Sequence, residues 1–556
     1  MRFCKSSILS ALAIVAMSGC DSSHNRMVVN LDSEYTNPVI HADYSDPDVV
    51  ASPDGSTYYL TASSFQCVPG LPILKSHNLV DWELVNYALD SVPPVEFYGN
   101  GVPQHGKGVW APCIRYHNGE YFIYWGDPDF GIFMVKTKNP ESKWSKPVLV
   151  RPGKGLIDPT PFWDEDGNAY LANAWAGSRS KFNSVITVSE MSADGTCVVG
   201  EPRIVFDGND GVNHTIEGPK LYRKGDYYYI LAPAGGVENG WQLALRSKNI
   251  YGPYEAKRVM EQGESEINGP HQGAWVTDIA GDDWFIHFQD KGAYGRIIHL
   301  NPMTWNNDWP IIGDDTDSDG CGEPVSKYRM PTTMEQPQVN TDINNDIYRQ
   351  FSWHGNYNDM YGFDIPDGLK RLYTWQLTEA FNNMWEVPNL WLMKFPSEEF
   401  IFTTKVAINA KEASNGVSMG VIVMGWDYCR LGLTLDGDNF QLQLVTCHDA
   451  EQGEGETVSN IATLPADKIY SAGLLSNINK EIYFRIAVGK DAMCRFSYSL
   501  DGDNYFEVGD TFKARAGKWI GAKIGYYAIM PADAANRGWI DVQWAQVQCD
   551  TATQEN

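Results

Sequence analysis

The 556-residue chain carries 43 basic and 70 acidic side chains, a net charge of −27 that repels phosphate backbones, excludes nucleic acid as a partner and points to a neutral substrate. Its length exceeds one ordinary domain, so two domains behind a short leader are expected. The 19 Trp and 29 Tyr suit β-rich cores, and such rings also stack on the apolar faces of sugars.

Arg2 and Lys5 precede a short apolar run, Ile8 to Met17, that cannot span a bilayer, and Met17-Ser18-Gly19-Cys20 follows. The pattern is similar to a bacterial lipoprotein signal. Residues 1–20 are read as leader, Cys20 as the acylated N-terminus and 21–34 as a tether; an ordinary cleaved signal is the alternative. A membrane is therefore expected to matter only through that lipid anchor. The eight later cysteines form no CxxC pair, and several lie in apolar strands, so mostly buried free thiols are expected.

Residues 35–312 hold five copies of one pattern, beginning at Asp46 (SDPDVV), Trp110 (WAPCIR), Asp158 (IDPTPF), Glu217 (IEGPKL) and His271 (HQGAWV). Each copy reaches a turn glycine, Gly55, Gly119, Gly167, Gly225 or Gly281, and then an aromatic strand such as YFIYWG or YYYILAP. Hairpins repeating at this length predict propeller blades around one axis. Asp46, Asp158 and Glu217 then converge in one funnel, where acid/base chemistry is the favoured reading. Asp43 and Asp48 compete locally with Asp46, which is preferred because it precedes Pro as Asp158 does. His271 takes the fifth position, as a hydrogen-bonding group, a ligand to an axial cation or a structural histidine.

Gly313 to Asn345 is rich in Asp, Gly, Pro and Thr, and 313–349 reads as a linker. Asp315, Asp317 and Asp319-Gly320 have the spacing of a calcium loop, but Ser326 stands where an EF-hand needs Glu. An acidic solvated linker is favoured, with a structural calcium as the alternative and no cofactor required. Residues 350–550 read as alternating strands, among them FIFTTKVAI, GVSMGVIVM, FQLQLVT, YFRIAVG and WIGAKIGYY, which predict a β-sandwich of jelly-roll or lectin-like type. The fold class is all-β.

The motifs DPDVV, WAP, IDPTPF and IEGPKL, with SSFQCVPGLPILKSHNLVDW at Ser63 to Trp82 and GRIIHLNPMTW at Gly295 to Trp305, resemble glycoside hydrolase family 43. The second domain resembles the sandwich of its xylosidase and arabinofuranosidase branch. The resemblance implies a five-bladed propeller that hydrolyses glycosidic bonds with inversion. It implies Asp46 as general base, Glu217 as general acid and Asp158 as the residue that orients the acid and tunes its pKa. It also implies Trp110, Arg296 and Phe65 at the sugar. Inversion needs roughly 6.5–9.5 Å between the two carboxyls, which residues on different blades can provide.

The leading expectation is an exo-acting α-L-arabinofuranosidase on oligosaccharides of plant hemicellulose, arabinoxylan or xyloglucan. A β-xylosidase is the alternative, and a carbohydrate-binding propeller without catalysis the more distant one. The leader points to the bacterial envelope, with the periplasm favoured because few acidic residues follow Cys20.

Overall fold

The computed structural model describes residues 27–28, 33–365, 368–465 and 481–549. Cys20 and most of the proposed leader and tether lie outside them.

Five four-stranded antiparallel sheets form the propeller. Their innermost strands are Asp48–Ala51, Trp110–His117, Leu156–Trp163, Lys220–Lys224 and His271–Thr277. The second strands follow after short turns: Tyr58–Thr61, Glu120–Asp127, Ala169–Trp175, Tyr227–Ala234 and Asp283–Asp290. All five expected turn glycines have a left-handed φ, between 57° and 90°, which glycine adopts without a Cβ clash. The second strands are buried along most of their length because both faces pack on neighbouring blades, whereas an outer strand such as Val148–Pro152 is mostly exposed.

Separate apolar clusters lie between the blades. Ile73, Ile114 and Trp125 join blades 1 and 2; Tyr124, Leu156 and Leu171 join 2 and 3; Ala172, Ile230 and Leu243 join 3 and 4; Leu231, Met260 and Phe285 join 4 and 5. Leu60, Leu74, Trp284 and Ile298 close the ring between blades 5 and 1. Burying one such side chain contributes about 1.5–3 kcal/mol, so each seam is held mainly by the hydrophobic effect.

The segment read as a linker is partly built into this closure. Lys327–Arg329 pairs with Glu34–Thr36, and Thr333–Met334 with Met27–Val28. Pairing satisfies the backbone groups of a polar stretch that carries too few apolar side chains to announce itself as strand. The expected tether accordingly ends in strand.

The second domain is a sandwich. One sheet orders Phe351–Trp353, Trp391–Lys394, Lys523–Met530, Ser418–Met424, Tyr428–Asp436, Asn439–Cys447 and Thr457–Pro465, with Trp375–Gln376 on the side. The other orders Gly362–Ile365, Leu369–Tyr373, Trp539–Cys549, Phe400–Asn409, Glu481–Gly489, Met493–Ser499 and Phe506–Lys513. Glu481–Gly489 alternates buried and half-buried residues, as a strand with one covered face does. Ser418–Met424 is buried throughout because Met384, Val387 and Leu390 cover its outer face. Five of the eight cysteines after Cys20 are buried free thiols, and none of the eight forms a disulfide.

The sandwich seats directly on the propeller. Val68 and Trp353 exchange backbone hydrogen bonds of 3.1 and 2.6 Å, and Asn356 bonds both backbone groups of Val92 at 2.7 and 2.9 Å.

Candidate active site

The site lies at the mouth where the innermost strands begin. In blades 2, 3 and 5 these strands open with a bulge: the register slips between Trp110 and Cys113, Ile157 and Thr160, and His271 and Gly273. Within each bulge one residue is left-handed, Ala111 at φ 37°, Asp158 at 53° and Gln272 at 38°; Asp46 at 56° and Gly218 at 58° match them in blades 1 and 4. Pro47, Pro112, Pro159 and Pro219 each follow this position. The equivalent set is therefore Asp46, Ala111, Asp158, Gly218 and Gln272. The repeat pattern puts Trp110, Glu217 and His271 in that set; the backbone puts them one residue earlier. A bulge bends and twists its strand, so a residue on either side of the nominal position can reach the mouth.

Asp46 is buried. Its Oδ2 accepts from Ser63 Oγ at 2.6 Å, and its Oδ1 from Arg296 Nη1 at 3.1 Å. Ser63 Oγ accepts from Ala111 N at 2.7 Å and so ties Asp46 to blade 2. Arg296 also lies over the Phe288 ring, 4.7 Å from its centroid. Asp46 is thereby held by two donors on separate oxygens.

Asp158 is buried, and its Oδ2 accepts from Gly218 N at 2.7 Å. That bond fixes the residue next to Glu217, while Glu217 N donates to Pro233 O at 3.1 Å. Asp158 thus holds the turn from which the acid projects. Burial pushes the Glu217 carboxyl upward, and the charges of Asp158 and Asp46 add to the rise against Arg296. Burial raises Asp158 as well, opposed by the Gly218 N–H. Glu217 sits deep in the funnel, yet 37% of its side chain meets solvent, the access that a leaving-group oxygen requires.

His271 is buried, with neither ring nitrogen hydrogen-bonded. Burial lowers its pKa to about 3, with Arg296 and His287 adding to the effect, so it is neutral in ordinary buffers. Its Nε2 lies 3.7 Å from Glu217 Oε1, beyond hydrogen-bond reach. Among the described residues, three ligand-capable side chains gather at Asp315, Asp317 and Asp319, within 4.8 Å of one another, and no such group includes His271. Their oxygens are of the type calcium takes. Neighbouring bridges, Met260 to Gly322 and Asp314 to Glu323, place that loop by the outer strands of blades 4 and 5, away from the funnel.

Trp110 is half-buried, and its Nε1 donates to Gly106 O at 2.8 Å, so its N–H is engaged within the protein. Phe65 is fully buried and meets Trp110 edge-on at 6.5 Å, backing it. Asp48, by contrast, lies deeper in the axis, where it accepts from Arg115 Nη1 at 2.8 Å and stands 3.8 Å from buried Lys220. The Asp48 charge is thus matched within the protein by two cations.

Three contributors have no assigned part in the sequence reading. Ser63 lies within the motif SSFQCVPGLPILKSHNLVDW, and Asp43 figures there only as a rival to Asp46. Asp43 accepts from Arg296 N and from Gly521 N of the sandwich. Trp519 meets Trp110 edge-on at 6.1 Å and is 47% exposed. The stretch WIGAKIGYY predicts Trp519 within a strand, but the strand begins at Lys523, and Trp519 belongs to the preceding loop with a φ of 63°. Gly106 makes room for that loop: a Cβ there would come within 2.9 Å of Trp519 and closer still to Lys518. The paired glycines Gly517 and Gly521 were the available sign of a turn.

A five-bladed propeller with acidic groups at one mouth and a sandwich reaching over it defines the class as a two-domain glycosidase. Residues 35–310 match the model of glycosyl hydrolases family 43, and residues 344–548 that of the β-xylosidase C-terminal concanavalin A-like domain. A Xylanibacter ruminicola protein named "Putative beta-xylosidase" is 32% identical over 89% of this chain and 86% of its own length. A non-reducing end α-L-arabinofuranosidase of Bacteroides ovatus is 31% identical over 54% of this chain and 58% of its own. In fold, the chain is similar to a xylan β-1,4-xylosidase from Bacillus halodurans, with a TM-score of 0.76 at 22% identity over 92% of this chain and 99% of that one. The chain belongs to glycosyl hydrolase family 43 and is a glycoside hydrolase.

Proposed function

We propose that the chain is an exo-acting, inverting β-xylosidase that releases terminal xylose from xylo-oligosaccharides. The observation that carries this reading is the two-domain wall of the funnel: Trp519 from the sandwich stands against Trp110 from blade 2. Such a wall favours a chain end over an internal segment. Among the sugars, xylose is favoured because the relative matched across both domains is named for β-xylosidase, whereas the one named for arabinofuranosidase matches over 54% of the chain.

In this mechanism Asp46 takes a proton from water as the water attacks the anomeric carbon. Glu217 gives its proton to the departing oxygen, and its raised pKa keeps that proton available near neutrality. Arg296 and Ser63 hold Asp46 in place, and Asp158 holds the Glu217 turn. The substrate is a neutral oligosaccharide, and no step requires a metal. The same reading takes the chain to the bacterial envelope, anchored through Cys20 and facing the periplasm.

The test is sugar release from 4-nitrophenyl β-D-xylopyranoside and α-L-arabinofuranoside, with Glu217→Gln as control. Faster xylose release, lost in the control, is expected. Faster arabinose release would reverse the choice of sugar, and binding without cleavage would make the propeller a capture module.

A further inference from the structure

A second cavity, of about 390 Å³, opens where blade 1 meets the sandwich and shares no lining residue with the catalytic set. Its volume falls in the range of small-molecule sites, about 300–1,000 Å³. Three of its aromatic walls reach solvent: Trp353 is half-buried, Tyr357 is 41% exposed and Phe363 43% exposed. Rings left this open cost burial energy that a soluble protein ordinarily recovers, so a patch of them marks a binding surface.

The polar groups narrow the ligand. Each lining cation has an acidic partner: Arg349 with Asp346 at 2.9 Å, Arg371 with Asp541 at 2.7 Å, and Lys370 with Asp364. No charge is left over to select an ion. Trp353, Trp391 and Tyr348 also line the cleft, and their side chains carry two indole N–H donors and a hydroxyl. A ligand matching this cleft is neutral, rich in acceptor oxygens and able to lie against aromatic rings. A sugar meets all three conditions.

The cleft is also tied to the funnel. Val68 pairs with Trp353 through the backbone, Pro69 lines the cleft, and Phe65 backs Trp110. The four-residue step from Phe65 to Pro69 spans at most about 14 Å of chain.

We propose that this cleft is a second binding site for neutral oligosaccharide, distinct from the catalytic funnel, that holds one part of a long substrate while its end is trimmed. Only the ligand class leans on the proposed activity.

The experiment is calorimetric titration of xylotetraose into full-length Glu217→Gln and into the same protein with Tyr357→Ala and Phe363→Ala. The expected stoichiometry is two per chain in the first and one in the second. The two rings are exposed enough that their removal spares the core. A structure of Glu217→Gln grown with xylotetraose supplies an independent readout, with sugar expected against the exposed rings of Tyr357 and Phe363. A single site in Glu217→Gln, while the wild type still hydrolyses xylosides, overturns this proposal and leaves the catalytic reading intact. Two sites persisting after the double substitution overturn it too. So does sedimentation showing a dimer of Glu217→Gln that Tyr357→Ala and Phe363→Ala abolish, because a second copy then covers the cleft. No binding together with no hydrolysis removes both readings.

Discussion

Asp43 Oδ2 accepts a hydrogen bond of 3.0 Å from Gly521 N, joining the first blade to a loop 478 residues away in the other domain. The second oxygen of Asp43 accepts from Arg296 N, also at 3.0 Å. One buried carboxylate therefore positions both the arginine that grips Asp46 and the loop that carries Trp519. Gly521 is packed so closely that an added Cβ would lie 2.7 Å from Gly295 N. Gly521→Ala should lift the loop, destabilise the fold by about 1–3 kcal/mol as overpacking does, and raise KM for xylobiose about fivefold with kcat within a factor of two. Steady-state kinetics checks this. A fall in kcat at constant KM would detach Trp519 from substrate binding.

Glu217→Gln removes the proton donor while keeping side-chain shape. Turnover of xylobiose should fall by about 10²–10⁴, the usual worth of general acid catalysis. A substrate with a 2,4-dinitrophenyl leaving group needs little protonation and should lose far less. Equal losses on both substrates would deny Glu217 the acid's part.

Asp46→Asn should eliminate measurable turnover, because no group remains to deprotonate the attacking water. In the wild-type reaction, proton NMR should show α-xylose as the first product from a β-xyloside. Initial release of β-xylose would establish retention and a nucleophilic carboxylate instead.

The pH profile gives a test whose sign is set by the raised Glu217 pKa. The acid must be protonated, so kcat/KM should fall as pH rises through that value. Asp158→Asn removes a neighbouring negative charge, favours the Glu217 anion and should move the alkaline limb to lower pH. A limb that stays in place would leave Asp158 with only its bond to Gly218 N.

Cys20→Ser should abolish lipid attachment and shift the expressed protein from the membrane to the soluble fraction. Mass spectrometry of the mature N-terminus checks the acylation directly. An unmodified N-terminus in the wild type would point to an ordinary cleaved signal.

The five turn glycines were legible in the sequence because a left-handed turn is a local demand, met residue by residue. The strand alternation of Phe400–Asn409 and Glu481–Gly489 was legible for a similar reason, since each has one face toward a core. The blade register was harder. The motif pattern aligns Asp46 with Asp158 as the backbone does, but sets Trp110, Glu217 and His271 one residue early, although the prolines after Ala111 and Gly218 carry the backbone alignment. A bulge adds a residue without changing composition, so a pattern of polar and aromatic types slides across it unnoticed.

Local preferences are written in the chain itself: hairpin turns, apolar strands, a polar break between domains and carboxylates recurring at blade openings. Tertiary structure decided which groups act together. Asp46 meets Arg296 from the last blade, and Asp158 meets the residue beside Glu217, only because the ring closes. Trp519 meets Trp110 only because the sandwich docks on the propeller. Hydrogen bonds and ring contacts act over a few ångströms, so partners hundreds of residues apart in the chain are chosen by the packing of whole blades and sheets.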